Sequence, residues 1–146
     1  MILYAESSAV LAWLLAEPEG KNVAMALRDA DHVIVSDLLF VECDRACIRA
    51  EALGALTPQQ AASVRARLAR VGAHWETLRL SSAVIERSRQ PFPVEPVRSL
   101  DAIHLSSALL ARPALPEMLV LSLDERVRRN ALRLGFEVVP ASDRQP

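Results

Sequence analysis

The stretch Ser99-Leu100-Asp101-Ala102-Ile103-His104-Leu105 opens a strongly apolar segment that continues to about residue 111. A loop with three prolines precedes it, and residues before prolines are pushed out of helical geometry, so a helix is predicted to begin here with Ser99 as its N-cap. Asp101 then lies in the first turn of an otherwise apolar helix. A carboxylate at that position either interacts with the helix dipole or serves as a metal ligand on a rigid element. Three other acids of the chain decide between these interpretations.

The composition favours one globular domain. The chain has 146 residues, 51% of them hydrophobic, and we expect a single domain over residues 1–142 with a frayed tail at 143–146. A net charge of -1 gives no general positive field for nucleic acid, and 4% aromatic residues speak against a base-stacking platform. Lys21 is the only lysine, and the resulting excess of arginine fits either phosphate binding or a skewed genome composition.

The cysteines and the apolar runs indicate where the protein resides. Cys43 and Cys47 are four residues apart on a predicted apolar helix, which predicts two small buried side chains rather than a metal pair or a disulfide. The N-terminus has no basic segment of the kind that opens a signal peptide, and no apolar run is long enough to span a bilayer. We therefore expect a cytoplasmic protein.

Short apolar strands alternate with helices along the chain. The predicted strands are residues 2–5, 32–35, 75–78, 118–121 and 136–139. The predicted helices follow them, and one begins at a capping box formed by Thr57 and Gln60. This alternation predicts a three-layer α/β/α domain with a mostly parallel central sheet of about five short strands. The order of the strands cannot be read from the pattern.

Four acids lie at or near the beginnings of predicted helices: Glu6, Glu42, Asp101 and Asp124. In a parallel sheet, helices that follow strands begin at one edge, so the four carboxylates are expected to converge there. Converging like charges repel each other, and a divalent cation removes that conflict. An all-oxygen site suits Mg²⁺ or Mn²⁺, and the chemistry that follows is metal-assisted hydrolysis of a phosphodiester.

Several other polar residues have two interpretations. Ser7 and Ser122 are predicted helix N-caps, and each could instead hydrogen-bond a water on the metal. His104 follows Asp101 by three residues and could reach the site, but on an apolar helix it fits a packed histidine bonded to the backbone. Arginines near the site could contact phosphate or form exposed ion pairs; these are Arg98, Arg112, Arg126 and Arg129.

Four blocks of the sequence resemble PIN-domain nucleases. They are residues 2–9 with Glu6, 36–43 with Glu42, 100–108 with Asp101 and 121–126 with Asp124, and the Asp101 block is the most specific. The resemblance spans nearly the whole chain, whose length suits the VapC-type toxins of toxin–antitoxin modules. It implies a metal-dependent endoribonuclease that acts on structured RNA, often transfer or ribosomal RNA. It also implies a homodimer and a small antitoxin that neutralises it.

One position departs from the family pattern. The first acid of the family is normally aspartate, whereas this chain has Glu6, which adds a methylene and a rotatable bond. A non-catalytic PIN-like module that binds RNA or protein is therefore an alternative. A phosphoryl-accepting receiver domain or a phosphatase also places acids at strand ends, but a receiver needs a lysine near its last strands, where this chain has none.

Overall fold

The computed structural model describes residues 1–141, which form alternating strands and helices. The strands are β1 (Ile2–Ala5), β2 (His32–Ser36), β3 (Glu76–Leu78), β4 (Leu119–Leu121) and β5 (Val138–Val139). The helices are α1 (Ser7–Leu14), α2 (Gly20–Asp29), α3 (Asp37–Ala52), α4 (Pro58–Gly72), α5 (Ser82–Ser88), α6 (Ser99–Ala111) and α7 (Glu125–Arg133). The predicted domain end at residue 142 and the predicted frayed tail lie outside the described residues.

The five strands form one sheet in the order β3-β2-β1-β4-β5, and every pairing is parallel. Side chains alternate between its faces, so Leu3 packs in one apolar cluster and Tyr4 in another. The Leu3 cluster is covered by α1 to α4, and the Tyr4 cluster by α6 and α7. The predicted three-layer α/β/α architecture is confirmed, and the sheet is parallel throughout the described residues.

Three of the predicted helix caps are wrong by one or two residues. Glu6 rather than Ser7 caps α1, because its carboxylate accepts a hydrogen bond from the backbone N–H of Ser8. Asp124 rather than Ser122 caps α7, where its carboxylate accepts two backbone N–H groups. Arg98 rather than Ser99 holds the N-cap position of α6. In the first two cases a charged acceptor takes the place of a hydroxyl, and this leaves both serines free for other contacts.

Other local predictions are confirmed. Thr57 and Gln60 form the capping box of α4, and Cys43 and Cys47 are buried free thiols. Within residues 1–141, no helix has the length and apolar character needed to cross a membrane.

Gly20 marks the closest approach of α2 to α1. A Cβ at Gly20 would lie 2.4 Å from the carbonyl oxygen of Ala12, which is backbone and cannot rotate away. We expect Gly20→Ala to lower the free energy of unfolding by about 1–3 kcal/mol in urea denaturation, although alanine has the better helix propensity.

Gly54→Ala is the matched control for this substitution. Gly54 has a φ of +75° and no atom within 4 Å of the added methyl, so only backbone strain of about 1–2 kcal/mol applies. A Gly20→Ala protein as stable as the wild type would show that α1 and α2 can move apart without a loss in the free energy of unfolding.

Candidate active site at the carboxyl edge of the sheet

Three neighbouring strands of the sheet precede three of the four acids. Glu6 directly follows β1, which lies between β2 and β4, and Asp124 follows β4 by three residues. Glu42 is on α3, which begins where β2 ends, and Asp101 is in the first turn of α6. Because the strands are parallel, their carboxyl ends share one edge of the sheet, as predicted.

Glu6 is held by hydroxyl groups on both of its carboxylate oxygens. It is only 3% exposed, and Ser7 Oγ donates to Oε1 at 2.8 Å while Ser122 Oγ donates to Oε2 at 2.8 Å. The hydroxyl of Ser8 also donates to Oε2. Ser7 and Ser122 therefore donate directly to the first acid of the candidate site, and the predicted hydrogen bond to a metal-bound water stays a prediction. These charge-assisted hydrogen bonds compensate the burial of the carboxylate.

Ser8 connects Glu6 to Asp124. Its Oγ accepts the backbone N–H of Leu123 at 3.0 Å and that of Asp124 at 3.1 Å, while its proton points to Glu6. Ser8 could not be singled out from the sequence, because a serine in the first turn of a helix has no feature that distinguishes a bridging role.

Arg98 connects Asp101 to Asp124. Its Nε donates to Asp101 Oδ2 at 2.9 Å and its Nη2 donates to Asp124 Oδ2 at 3.1 Å. The other oxygen of Asp124, Oδ1, accepts backbone N–H groups of α7 at 2.8 and 3.1 Å. Arg98 thus forms ion pairs, as one interpretation held, but with two acids of the site.

The electrostatics of Asp101 show that three acids share one environment. Burial raises the pKa of Asp101, the hydrogen bond and charge of Arg98 lower it, and the charges of Asp124 and Glu6 raise it further. The net direction is upward, so Arg98 compensates only part of the cost of ionising Asp101. This is the repulsion that we expected from converging carboxylates.

Glu42 is held through a buried chain of side chains. His104 is 1% exposed; its Nε2 lies 2.5 Å from Glu42 Oε1 and its Nδ1 lies 2.9 Å from the Tyr4 hydroxyl. A carboxylate accepts hydrogen bonds only, so Nε2 carries the proton, and in a neutral ring the Tyr4 hydroxyl donates to Nδ1. The prediction of a backbone-bonded histidine is wrong. The other interpretation, that His104 reaches the site, fits this contact.

The donor set has the chemistry of a hard-cation site. The carboxylates of Glu6, Glu42, Asp101 and Asp124 offer oxygen atoms of the kind that Mg²⁺ and Mn²⁺ prefer as ligands. In the arrangement of residues 1–141, however, no three His, Cys, Asp or Glu side chains stand together as metal ligands. Hydroxyls bind both oxygens of Glu6, and Arg98 binds one oxygen each of Asp101 and Asp124. A cation that takes the oxygens of Glu6 or the Oδ2 atoms of Asp101 and Asp124 therefore exchanges with these partners.

Comparison with known proteins defines the class. The family model of the PIN domain matches residues 3–133, so the chain belongs to the PIN domain family. It is 31% identical over 140 residues to ribonuclease VapC35 of Mycobacterium tuberculosis, covering 94% of this chain and 96% of that protein. It is 32% identical over 140 residues to ribonuclease VapC46 of the same species, covering 96% and 98%. The resemblance to PIN-domain ribonucleases of the VapC type is therefore confirmed.

Solved structures show the same fold. VapBC2 from Rickettsia felis, bound to a DNA fragment from their promoter, matches with a TM-score of 0.63 at 10% identity, over 94% of this chain and 97% of that one. VapC20 of Mycobacterium tuberculosis, described as a sarcin-ricin loop cleaving toxin, matches with a TM-score of 0.63 at 10% identity, over 99% of both chains.

Removing the Tyr4 hydroxyl should destabilise the protein. Tyr4→Phe leaves the buried Nδ1 of His104 without a donor, so we expect the free energy of unfolding to fall by about 1–3 kcal/mol. The single variant His104→Leu removes Nδ1 and also the donor to Glu42. Adding Tyr4→Phe to His104→Leu should therefore cost less than Tyr4→Phe costs the wild-type protein, because no buried Nδ1 is left without a donor. A double variant whose loss equals the sum of the two single losses would mean that the two side chains are not coupled.

Neutralising Asp101 should not destabilise the metal-free protein at neutral pH. The folded-state pKa of Asp101 is raised, so its ionised form costs folding free energy above that pKa, and the cost disappears as the pH falls through it. We expect Asp101→Asn, measured with a chelator, to melt at or above the wild-type temperature at pH 7. The difference should shrink toward about pH 4, the usual range of a carboxyl group.

The exposed acid Glu51 of α3 offers a matched control. Glu51→Gln should shift the melting temperature little at either pH. A marked loss of stability in Asp101→Asn at pH 7 would instead identify Asp101 as a structural cap.

Proposed function

We propose that this protein is an endoribonuclease that hydrolyses RNA phosphodiester bonds with a divalent metal ion, Mg²⁺ or Mn²⁺, held by Glu6, Glu42, Asp101 and Asp124. The observation that carries the proposal is the joint position of Glu6, Asp101 and Asp124. Arg98 binds both Asp101 and Asp124, and Ser8 binds both the carboxylate of Glu6 and the backbone N–H of Asp124, so the three acids lie together at one edge of the sheet. A fold gains no stability from such a grouping, whereas a cation site requires it.

The side chains around the acids prepare them for this role. When bound, a divalent ion supplies an activated water and neutralises charge on the phosphoryl oxygens. Ser7 and Ser122 fix the rotamer of Glu6, and the N-terminus of α7 fixes Asp124 through Oδ1. His104 orients Glu42, as outer partners commonly do for metal-binding carboxylates. The carboxylates are thus positioned before substrate arrives.

The named relatives and solved structures support the substrate and the partners that we propose. Two of these are named ribonucleases and one structure is described as cleaving the sarcin-ricin loop, which supports structured RNA, transfer or ribosomal, as the substrate. VapBC2 supports a small antitoxin as a binding partner.

We also propose a homodimer. Val41 and Ile48 lie seven residues apart on α3 and are both exposed, so they form an apolar face that either partner could cover.

The alternative is a PIN-like module that binds RNA or protein without cleaving RNA. It is favoured by Glu6 in place of the family aspartate and by the hydrogen bonds that hold both Glu6 oxygens. Titration calorimetry with Mn²⁺ separates the two functions, because only the nuclease needs to bind the ion at millimolar concentration or below.

The nuclease proposal predicts that cleavage of total RNA requires both Asp101 and a divalent ion. We expect the wild-type protein to cleave RNA with Mn²⁺ and to stop when the ion is chelated. Asp101→Asn should lose at least about 100-fold in rate, the loss typical when a group that stabilises developing charge is removed.

Glu51→Gln again serves as the control and should cleave at the wild-type rate. Equal cleavage by wild-type and Asp101→Asn proteins would indicate a contaminating nuclease and refute the proposal. A wild-type protein that binds RNA but neither binds Mn²⁺ nor cleaves would support the binding module.

A further inference from the structure

Arg98 neutralises the acids from the solvent side. Its side chain is 62% exposed, whereas those of Asp101 and Asp124 are 8% and 24% exposed. The guanidinium therefore lies between the two carboxylates and the solvent. The same two Oδ2 atoms that it binds belong to acids proposed above as metal ligands.

The backbone that carries Arg98 is fixed. Asn130 of α7 binds both the N–H and the carbonyl of Val94, each at 2.9 Å. The carboxylate of Glu95 accepts the backbone N–H of Phe92 at 2.9 Å and that of Val97 at 2.8 Å. The guanidinium can therefore leave the acids by side-chain rotation while the loop keeps its position.

A divalent cation and the Arg98 guanidinium compete for the same oxygens. Both are positive, and a cation that binds Asp101 and Asp124 must either displace the guanidinium or repel it at short range. A displaced guanidinium stays at the rim of the site because its backbone is fixed. There it presents the planar set of donors that matches two oxygens of a phosphate.

We propose that Arg98 binds a phosphate of the RNA substrate, and that Asp101 and Asp124 hold it until a divalent cation takes their carboxylates. The inference rests on the function proposed above and adds a residue to it. It explains why an exposed arginine pairs with two acids of an active site. It also makes metal binding and phosphate binding depend on each other, since the ion releases the group that binds the substrate.

Replacing Arg98 should change metal binding and cleavage in opposite directions. In calorimetric titration with Mn²⁺ alone, Arg98→Ala should bind the ion about 5-fold or more tightly than wild type, because a competitor has been removed; this is the lower end of ordinary coupling between two ligands. At saturating Mn²⁺, the same variant should cleave RNA at least about 10-fold more slowly, chiefly through a higher KM, because a charged hydrogen bond to phosphate is lost.

Two further variants make the result decisive. Arg98→Lys keeps the positive charge without the planar donors, so it should bind Mn²⁺ close to the wild-type level and cleave at an intermediate rate. Arg89→Ala removes an exposed arginine at the end of α5, outside the site, and should change neither measurement. If Arg98→Ala fails to fold, the comparison is made with Arg98→Lys and Arg98→Gln.

The outcomes separate this inference from the proposed function. Weaker Mn²⁺ binding in Arg98→Ala would make Arg98 a support for Asp101 and overturn the inference. Tighter Mn²⁺ binding with unchanged cleavage would make it a counter-charge only and would also overturn the inference. In both cases a wild-type protein that cleaves RNA with Mn²⁺ keeps the proposed function. A wild-type protein that neither binds Mn²⁺ nor cleaves RNA would overturn both.

Discussion

Charge compensation at the carboxyl edge of the sheet is the constraint on which the rest of the structure depends. Parallel pairing of β1 with β2 and β4 brings negative side chains together, and each must then find hydrogen-bond donors or a counter-charge. Three serines provide them for Glu6, Arg98 for the two aspartates, and His104 for Glu42. The contacts of His104 join α6 to α3 and to β1, so groups that compensate the acids also connect the layers of the fold.

The architecture was predictable because its signals are local. Apolar runs of the right length predicted the strands, and their alternation with helices predicted the parallel sheet. The order of the strands was not predictable, because it depends on how the helices that connect the strands pack on the two faces of the sheet. The predicted N-cap residues were wrong for a related reason. Serine is a commoner N-cap than glutamate and about as common as aspartate, so propensity could not decide between them. Glu6 and Asp124 stand where the backbone is still extended, and their carboxylates accept the helix N–H groups.

The positions of Glu6 and Asp124 at one edge could be predicted from the strands that precede them, while the role of the four acids as metal ligands stays a prediction. The geometry of the contacts around the acids was not predictable. The contacts of Ser8 with Leu123 and of Arg98 with Asp124 span about 3 Å between elements far apart in the chain, and they depend on rotamers that no sequence pattern encodes. His104 was foreseen as a residue that could reach the site, yet its link to Tyr4 crosses 100 residues of sequence and two layers of the fold.

The two carboxylate oxygens of Asp124 have different partners. Oδ1 starts α7 by accepting its first N–H groups, and Oδ2 faces Arg98 and the other acids. Capping a helix and binding a cation have different chemical requirements. An N-cap needs only a hydrogen-bond acceptor, whereas a cation site needs a negative charge. Asparagine meets the first requirement and fails the second, and alanine fails both. Under the proposed function, a substitution at Asp124 therefore affects helix formation and metal binding together, whereas Asp101 makes no cap hydrogen bond to α6.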